Sequence, residues 1–254
     1  MSIKKQIPNL FTLLNLLSGC IGAIFAVQND FIGAAIFVAL GIFFDFFDGF
    51  LARKLNVQSD LGIQLDSLAD MVTSGLVPGI VMFKLIAVST LGGEMTYSDE
   101  WNETLHLQAL SNSWLPIIGL FITLASAYRL ARFNIDEDQQ SYFKGLPTPA
   151  NALLILSLPL VLQFGHSQFV ADLLINTLFL IGLTLVSCYL LNSSIKLFAL
   201  KFKTYAIKPN IYRYLLLLIA IILLIWLQFA AIPLIILSYF IFSFLHYKSI
   251  KEEQ

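Results

Sequence analysis

The chain has 254 residues, of which 58% are hydrophobic and 12% are charged, and its formal net charge is −1. About a quarter of the residues in a typical soluble domain are charged, so this composition excludes a soluble globular protein and indicates an integral membrane protein. We expect no separate soluble domain in a chain of this length, and no nucleic-acid partner.

Long apolar runs follow one another along almost the whole chain. A run of about 17–25 apolar residues is long enough to cross a bilayer as a helix. The runs predict membrane helices over 8–28, 31–53, 66–89, 114–133, 149–165, 172–192, 212–228 and 231–247. We therefore predict an all-α fold, a polytopic membrane helical bundle with about eight transmembrane helices, or with seven or six if the tail forms fewer.

The Lys and Arg residues indicate which side of the membrane each loop faces. With the N-terminus inside, all of the 15 basic residues except Lys84 fall on the inner side, whereas residues 91–113 carry four acidic residues and no basic one. Because cytoplasmic loops are enriched in Lys and Arg, we predict cytoplasmic N- and C-termini and an active site that faces the cytoplasm. The absence of a targeting signal is typical of a protein of the prokaryotic plasma (inner) membrane.

Four aspartates interrupt the apolar runs of the second and third spans. A carboxylate at the bilayer centre costs about 2.5–3.5 kcal/mol, and such a cost rarely persists without a function. Asp45 and Asp48 share one helix face by their spacing, and Asp66 and Asp70 share another. A turn near 56–60 brings the two faces together, where the carboxylates repel one another unless cations neutralise them. Oxygen ligands favour Mg²⁺, Mn²⁺ or Ca²⁺ over zinc.

Small and basic residues lie on the same faces as the acids. Gly49, Ala52 and Gly62 leave room for a large polar group near the backbone, and the forked guanidinium of Arg53 suits phosphate oxygens. Together with metal-binding carboxylates, they indicate phosphoryl transfer with two metal ions. Two alternatives are ion pairs that lock the helices together and a divalent-cation transporter, which would spread its acids across the membrane depth.

The stretch from Asp45 to Asp70 matches the pattern D-x2-D-G-x2-A-R-x8-G-x3-D-x3-D at every fixed position. The fixed positions are Asp45, Asp48, Gly49, Ala52, Arg53, Gly62, Asp66 and Asp70. This pattern resembles the signature of the CDP-alcohol phosphotransferases, membrane enzymes of phospholipid synthesis. The resemblance implies two ions of Mg²⁺ or Mn²⁺ held by the four aspartates, with Asp70 as the catalytic base. It also implies that the other four fixed residues line a CDP pocket, and that the protein is a homodimer.

Further stretches resemble the phosphatidylserine synthase branch of that family. They are residues 8–12 with Asn15, 66–75, 128–134, 145–150 and 193–196. The resemblance implies that CDP-diacylglycerol and L-serine are the substrates and that phosphatidylserine and CMP are the products. It covers roughly residues 1–205, which we assign to the catalytic membrane domain, whereas 206–254 form two C-terminal helices of the same bundle.

Five residues outside the pattern are also expected at the site. We expect Asn9 and Thr12 at the CDP pocket, and Arg129, Arg132 and Asn134 at the acceptor or at a phosphate group. Alternatively, the two arginines snorkel to lipid headgroups, and Thr12 and Asn134 only cap helix ends. The acceptor also stays open, because glycerol 3-phosphate, inositol phosphate or another alcohol would undergo the same chemistry.

Overall fold

The computed structural model describes residues 3–90, 113–135, 142–198 and 206–252, which form a helical bundle with one pair of short strands. The α-helices are α1 (Ile3–Val27), α2 (Phe31–Lys54), α3 (Asp60–Asp70), α4 (Val77–Thr90), α5 (Phe121–Ile135), α6 (Thr148–Phe164), α7 (Gln168–Ile175), α8 (Thr177–Asn192), α9 (Ile207–Leu227) and α10 (Ala231–Glu252). The remaining elements are a π-helix (Met71–Leu76), two 3₁₀-helices (Leu115–Leu120 and Gln228–Ala230), β1 (Tyr142–Lys144) and β2 (Lys196–Phe198). The predicted acidic outer loop falls almost entirely outside the described residues.

Several of these helices are long and apolar enough to cross a membrane. Length and composition identify five such stretches among the described residues, or six if α7 and α8, which meet at a bend of 72°, form one broken span. The five are Gln6–Val27, Phe31–Lys54, Asp60–Thr90, Leu115–Ile135 and Asn210–Lys248. The protein is therefore an integral membrane protein with a polytopic helical fold. The predicted number of eight spans is higher than this count.

The last of the five stretches contains two antiparallel helices. The ring of Tyr212 in α9 lies 5.7 Å from the ring of His246 and 6.4 Å from that of Phe242, both in α10. The chain reverses at Gln228, which has a φ of 49°. The structure thus has two helices where the sequence predicts two.

The third span differs from its prediction in both its start and its regularity. The sequence predicts a helix from residue 66, whereas α3 begins at Asp60 because Ser59 caps it, with Oγ accepting a hydrogen bond of 3.1 Å from the amide of Gly62. Directly after Asp70 the helix widens into the π-helix, which buries Thr73. Such wide turns are rare in proteins as a whole, and many of those that occur lie at functional sites.

The sixth predicted span, over 172–192, is broken in the structure. The side chain of Asn176 accepts a hydrogen bond of 3.0 Å from the amide of Phe179 and so caps the start of α8. Asparagine competes for backbone hydrogen bonds in this way and favours helix starts over helix interiors. This cap explains the bend of 72° between α7 and α8.

Polar contacts identify the end of the bundle that lies away from the acidic motif. The buried side chain of Lys84 in α4 donates a hydrogen bond of 2.9 Å to the carbonyl of Val27 at the end of α1. At the same end, the hydroxyl of Thr177, at the start of α8, donates a hydrogen bond of 2.9 Å to the hydroxyl of Ser89, near the end of α4. The apolar core lies between the two ends, where fully buried residues include Ala34, Val38, Val81, Ile122 and Ile155.

The two strands are an element that the sequence analysis did not predict. β1 and β2 pair antiparallel, with Tyr142 opposite Phe198 and Lys144 opposite Lys196. The chain leaves β1 through Gly145, which has a φ of 72° and lies against the backbone of α8. A residue with a Cβ is strained at such a φ and would have no room here. This pair ties the start of α6 to the segment after α8, close to the end of the bundle that carries the motif.

Candidate active site

The four aspartates of the motif converge between α2 and α3. One carboxylate oxygen from each of Asp45, Asp48 and Asp66 lies within 4.8 Å of the other two. Asp70 is one turn further along α3 and interacts electrostatically with all three. The spacing of three residues on α2 and of four on α3 places each pair on one helix face. The structure therefore brings the acids together as their spacing predicts, and their roles as ligands and base stay predictions.

The donor set fits a hard divalent cation. All the candidate ligands are carboxylate oxygens, the type that Mg²⁺ and Mn²⁺ prefer. The Oδ1 atom of Asp66 is buried without a hydrogen-bond partner, so it is free to bind a cation. Arg129, a candidate partner for a helix-locking ion pair, has its Nε atom buried and equally without a partner.

A cavity of about 290 Å³ opens beside the acidic cluster. It is lined by Pro8, Asn9, Thr12, Asp48, Gly49, Ala52, Arg53, Val57, Gln58, Ser59, Gly62, Ile63 and Asp66. Every residue predicted for the CDP pocket is in this wall, next to two of the four aspartates. Sites for small molecules typically measure about 300–1,000 Å³, so the cavity is of the size of a small ligand-binding site.

The glycines in this wall lie directly under polar side chains. A Cβ at position 62 would stand 3.3 Å from Oγ of Ser59 and 3.5 Å from Oδ1 of Asn9, and Gly49 lies in the same way under the guanidinium of Arg53. The missing side chains thus leave room for the polar groups that face the cavity.

Helix α1 contributes polar groups to two of the acids. The hydroxyl of Thr12 donates a hydrogen bond of 2.5 Å to Oδ2 of Asp48, and the amide of Asn15 donates 3.1 Å to Oδ1 of Asp70. Both side chains are buried. Asn15 was not among the predicted site residues. The signal for it was a polar residue three positions after Thr12, on the same face of a largely apolar helix.

The two arginines predicted to bind the acceptor line a cavity other than the one beside the acidic cluster. Arg129 is buried and interacts electrostatically with Asp70. Together with the exposed Arg132, it lines a small cavity of about 20 Å³, whose other walls include Lys144 and Ser193.

Asn134, the third of these predicted residues, is engaged elsewhere. Its amide donates a hydrogen bond of 2.8 Å to the hydroxyl of Ser67, which lies between Asp66 and Asp70 on α3. The structure therefore gathers the two arginines in one corner and ties Asn134 to α3. Their binding roles stay predictions.

Sequence comparison identifies the family of this chain. The sequence model of the CDP-alcohol phosphatidyltransferases matches residues 5–245. A CDP-diacylglycerol–serine O-phosphatidyltransferase of Bacillus subtilis is 32% identical over 170 residues, 63% of this chain and 82% of that protein. A protein of the same name from Methanocaldococcus jannaschii is 31% identical over 190 residues, which are 73% of this chain and 74% of that protein. Another, from Mycobacterium leprae, is 30% identical over 173 residues, which are 65% of this chain and 50% of that protein. With its acids converging beside a cavity that the motif residues line, the chain belongs to the CDP-alcohol phosphatidyltransferase family.

Proposed function

We propose that the protein transfers the phosphatidyl group of CDP-diacylglycerol to the hydroxyl of L-serine, giving phosphatidylserine and CMP. Membership of the family supports phosphatidyl transfer from a CDP-activated lipid to an alcohol. The names of the similar proteins from Bacillus and Methanocaldococcus support serine as the acceptor. The observation that carries the proposal is the cavity of about 290 Å³, where the motif residues adjoin the acidic cluster.

In this proposal the aspartates hold two divalent cations, Mg²⁺ or Mn²⁺. Asp45, Asp48 and Asp66 would share one site, since their oxygens lie within 4.8 Å of one another, and Asp70 would complete the set. The ions would supply the positive charge that offsets the diphosphate and makes CMP a good leaving group. Arg53, in the wall of the cavity, would bind a diphosphate oxygen.

Asp70 would act as the general base. It takes the proton of the serine hydroxyl while the hydroxyl oxygen attacks the lipid-linked phosphorus, and the bond from this phosphorus to the CMP oxygen breaks. The hydrogen bond from Asn15 to Oδ1 orients the carboxylate of Asp70, which retains further lone pairs to accept the proton. Asp70 interacts electrostatically with other aspartates of the motif and with Arg129. This supports the role, because the acceptor hydroxyl must reach the base while another group holds the far end of the acceptor.

The acceptor would be held by the basic corner that Arg129 and Arg132 form. A serine carboxylate is planar and suits the forked guanidinium group, and the unpartnered Nε of Arg129 offers a buried donor for it. Glycerol 3-phosphate, inositol phosphate and other alcohols remain the alternative acceptors, and the phosphate group of the first two also suits arginine.

We further propose eight membrane crossings, with both termini and the active site on the cytoplasmic side. The contacts of Lys84 with Val27 and of Thr177 with Ser89 support alternating helix ends, and α9 and α10 form an antiparallel hairpin. Lys84 is the one basic residue assigned to the end away from the motif. The homodimer is proposed from the family resemblance alone, and the prokaryotic plasma membrane is proposed from the bacterial and archaeal sources of the similar proteins.

The C-terminal hairpin would belong to the same bundle as the catalytic domain. Tyr239 in α10 is buried and donates a hydrogen bond of 2.7 Å to the carbonyl of Phe198 in β2. Tyr239 also lies near Arg129. These contacts support one continuous unit that reaches from the tail to the basic corner.

The decisive experiment measures CMP release by purified protein in detergent with CDP-diacylglycerol and Mn²⁺ or Mg²⁺. We expect release that depends on L-serine and that a chelator abolishes. Release only with glycerol 3-phosphate or another alcohol would retain the chemistry and overturn serine as the acceptor. If no acceptor supports release, the proposed reaction is wrong, and metal flux into liposomes without CDP-lipid then tests the cation-transporter alternative.

A further inference from the structure

Two side chains of α1 each donate a hydrogen bond to a different aspartate of the motif. Thr12 donates to Oδ2 of Asp48, and Asn15 donates to Oδ1 of Asp70. Thr12 is 3% exposed and Asn15 is fully buried, so water does not compete for either bond. A carboxylate has two oxygens with two lone pairs each, so both aspartates retain capacity for another partner. The spacing of three residues along α1 places both donors on the face that meets α2 and α3.

The chemistry of the partners fixes the orientation of Asn15. An ionised carboxylate only accepts hydrogen bonds, so the NH₂ group of Asn15 must face Asp70 and its Oδ1 must point away. That Oδ1 is buried without a partner, which is unfavourable for the amide and is tolerated only in return for the contact with Asp70. The hydroxyl of Thr73, in the π-helix, donates a hydrogen bond of 3.1 Å to the backbone carbonyl of Asn15. This bond fixes the backbone of α1 at the turn that carries Asn15.

Two glycines make this arrangement possible. A Cβ at Gly41 would lie 2.8 Å from Oδ1 of Asn15 and 2.5 Å from Cγ2 of Thr73. A Cβ at Gly19 would collide with the Oγ1 and the backbone amide of Thr73. Helices α1 and α2 therefore approach the π-helix closely near Asn15, because α1 has Gly19 and α2 has Gly41 at the points of contact.

We propose that Thr12 and Asn15 are positioning residues that aim the carboxylates of Asp48 and Asp70 at the divalent cations. The proposal rests on the proposed function in so far as it takes these aspartates to be metal ligands. It revises the predicted role of Thr12 at the CDP pocket, because its hydroxyl makes its shorter contact, of 2.5 Å, with Asp48, and its longer one, of 3.2 Å, with the carbonyl of Pro8 in its own helix. Groups that orient metal ligands typically change metal affinity about 10–100-fold when they are removed.

A purely structural role for these two residues makes a different prediction. Ser18 lies on the same helix and is also buried, but its hydroxyl donates a hydrogen bond of 2.8 Å to the carbonyl of Leu14 in its own helix. Loss of the Ser18 hydroxyl therefore perturbs α1 without touching an aspartate. If Thr12 and Asn15 only stabilise the packing of α1, their loss should affect the cation no more than the loss of Ser18 does.

The test measures Mn²⁺ binding to the purified full chain in detergent, without substrate, by the electron paramagnetic resonance signal of free Mn²⁺. We expect Thr12→Val and Asn15→Leu each to weaken binding about 10–100-fold. Thr12→Ser, which keeps the hydroxyl, and Ser18→Ala should bind Mn²⁺ as the wild type does. Gel filtration and the unfolding temperature in chelator verify that each variant is folded before its affinity is compared.

A second pair of variants tests the same geometry without removing a polar group. Gly41→Ala places a methyl group against Oδ1 of Asn15, whereas Gly22→Ala, on α1, meets its nearest neighbour at an ordinary 3.5 Å. We expect weaker Mn²⁺ binding for Gly41→Ala alone.

The outcomes separate this proposal from the proposed function. Unchanged Mn²⁺ affinity in Thr12→Val and Asn15→Leu overturns the positioning role and leaves the metal site intact. An equal loss in Ser18→Ala also overturns it, because the effect then comes from helix packing. If the wild type itself binds no Mn²⁺, the metal site of the proposed function is wrong and the positioning role is overturned with it.

Discussion

The guanidinium group of Arg53 lies across Gly49, one helical turn earlier in α2. A Cβ at position 49 would stand 3.4 Å from Nη1 and 3.7 Å from Nη2 of that arginine. The glycine therefore sets the position of the cation that the proposed reaction uses to hold the diphosphate, in a cavity that both residues line.

Gly49→Leu should displace Arg53 and fill part of the cavity. Hydrogen bonds to charged groups contribute about 1.5–3 kcal/mol, so loss of the contact to the diphosphate should lower kcat/KM for CDP-diacylglycerol about 10–100-fold. The measurement is CMP release at varied CDP-diacylglycerol. Gly182→Leu is the matched control, because no atom lies within 4 Å of a Cβ placed there. Unchanged kinetics in Gly49→Leu would remove Arg53 from diphosphate binding.

Asp70→Asn should abolish most of the turnover while the protein remains folded. The asparagine keeps the shape of the side chain but cannot take a proton, and general-base catalysis typically contributes about 10²–10⁴-fold. The rate of CMP release with L-serine measures the loss. Asp172→Asn, on an exposed aspartate of α7, removes a carboxylate far from the motif and should have full activity. Comparable activity in both variants would show that Asp70 is not the base.

Removal of the divalent cation should inactivate the enzyme and lower its unfolding temperature. A ligand that binds only the folded state stabilises it by about 2.7 kcal/mol at a concentration 100 times its Kd. Added Mn²⁺ should therefore raise the unfolding temperature of the chelated protein in detergent. In Asp45→Asn this increase should be much smaller, because one of the three clustered carboxylates is lost. An undiminished increase in that variant would place the bound Mn²⁺ elsewhere.

Arg129→Gln should raise the KM for serine with little change in the KM for CDP-diacylglycerol. The buried guanidinium is proposed to bind the serine carboxylate, and loss of a charge-assisted hydrogen bond costs about 10–100-fold in affinity. Steady-state kinetics with each substrate varied in turn separates the two constants. Lys54→Gln, on an exposed residue at the end of α2, is the control for the loss of one positive charge. An unchanged KM for serine would exclude Arg129 from the acceptor site.

Lys84→Met should destabilise the protein without impairing catalysis. Lys84 donates a hydrogen bond to the carbonyl of Val27, and the loss of a hydrogen bond from a charged group costs about 1.5–3 kcal/mol. The unfolding temperature in detergent should fall, while CMP release at a permissive temperature should match the wild type, because the contact lies at the end of the bundle away from the motif. A large loss of kcat at that temperature would contradict this separation.

The parts of the site that were predicted from the sequence are those set by the helical repeat within one element. The spacing of Asp45 and Asp48, and of Asp66 and Asp70, determines that each pair shares a face in any α-helix. The apolar composition likewise determines a membrane protein whatever the packing of its helices. These features are local, so they can be read without knowing how any helix meets another.

Which residues meet across helices was decided only by the tertiary structure. Thr12 and Asn15 contact Asp48 and Asp70 because of the height and rotation of α1 against its neighbours, which the close approach at Gly19 and Gly41 allows. The π-helix, the break at Asn176 and the strand pair are also products of packing and capping that the hydropathy of the chain does not record. Helix periodicity is a property of neighbouring residues, whereas helix register depends on contacts between residues far apart in the chain.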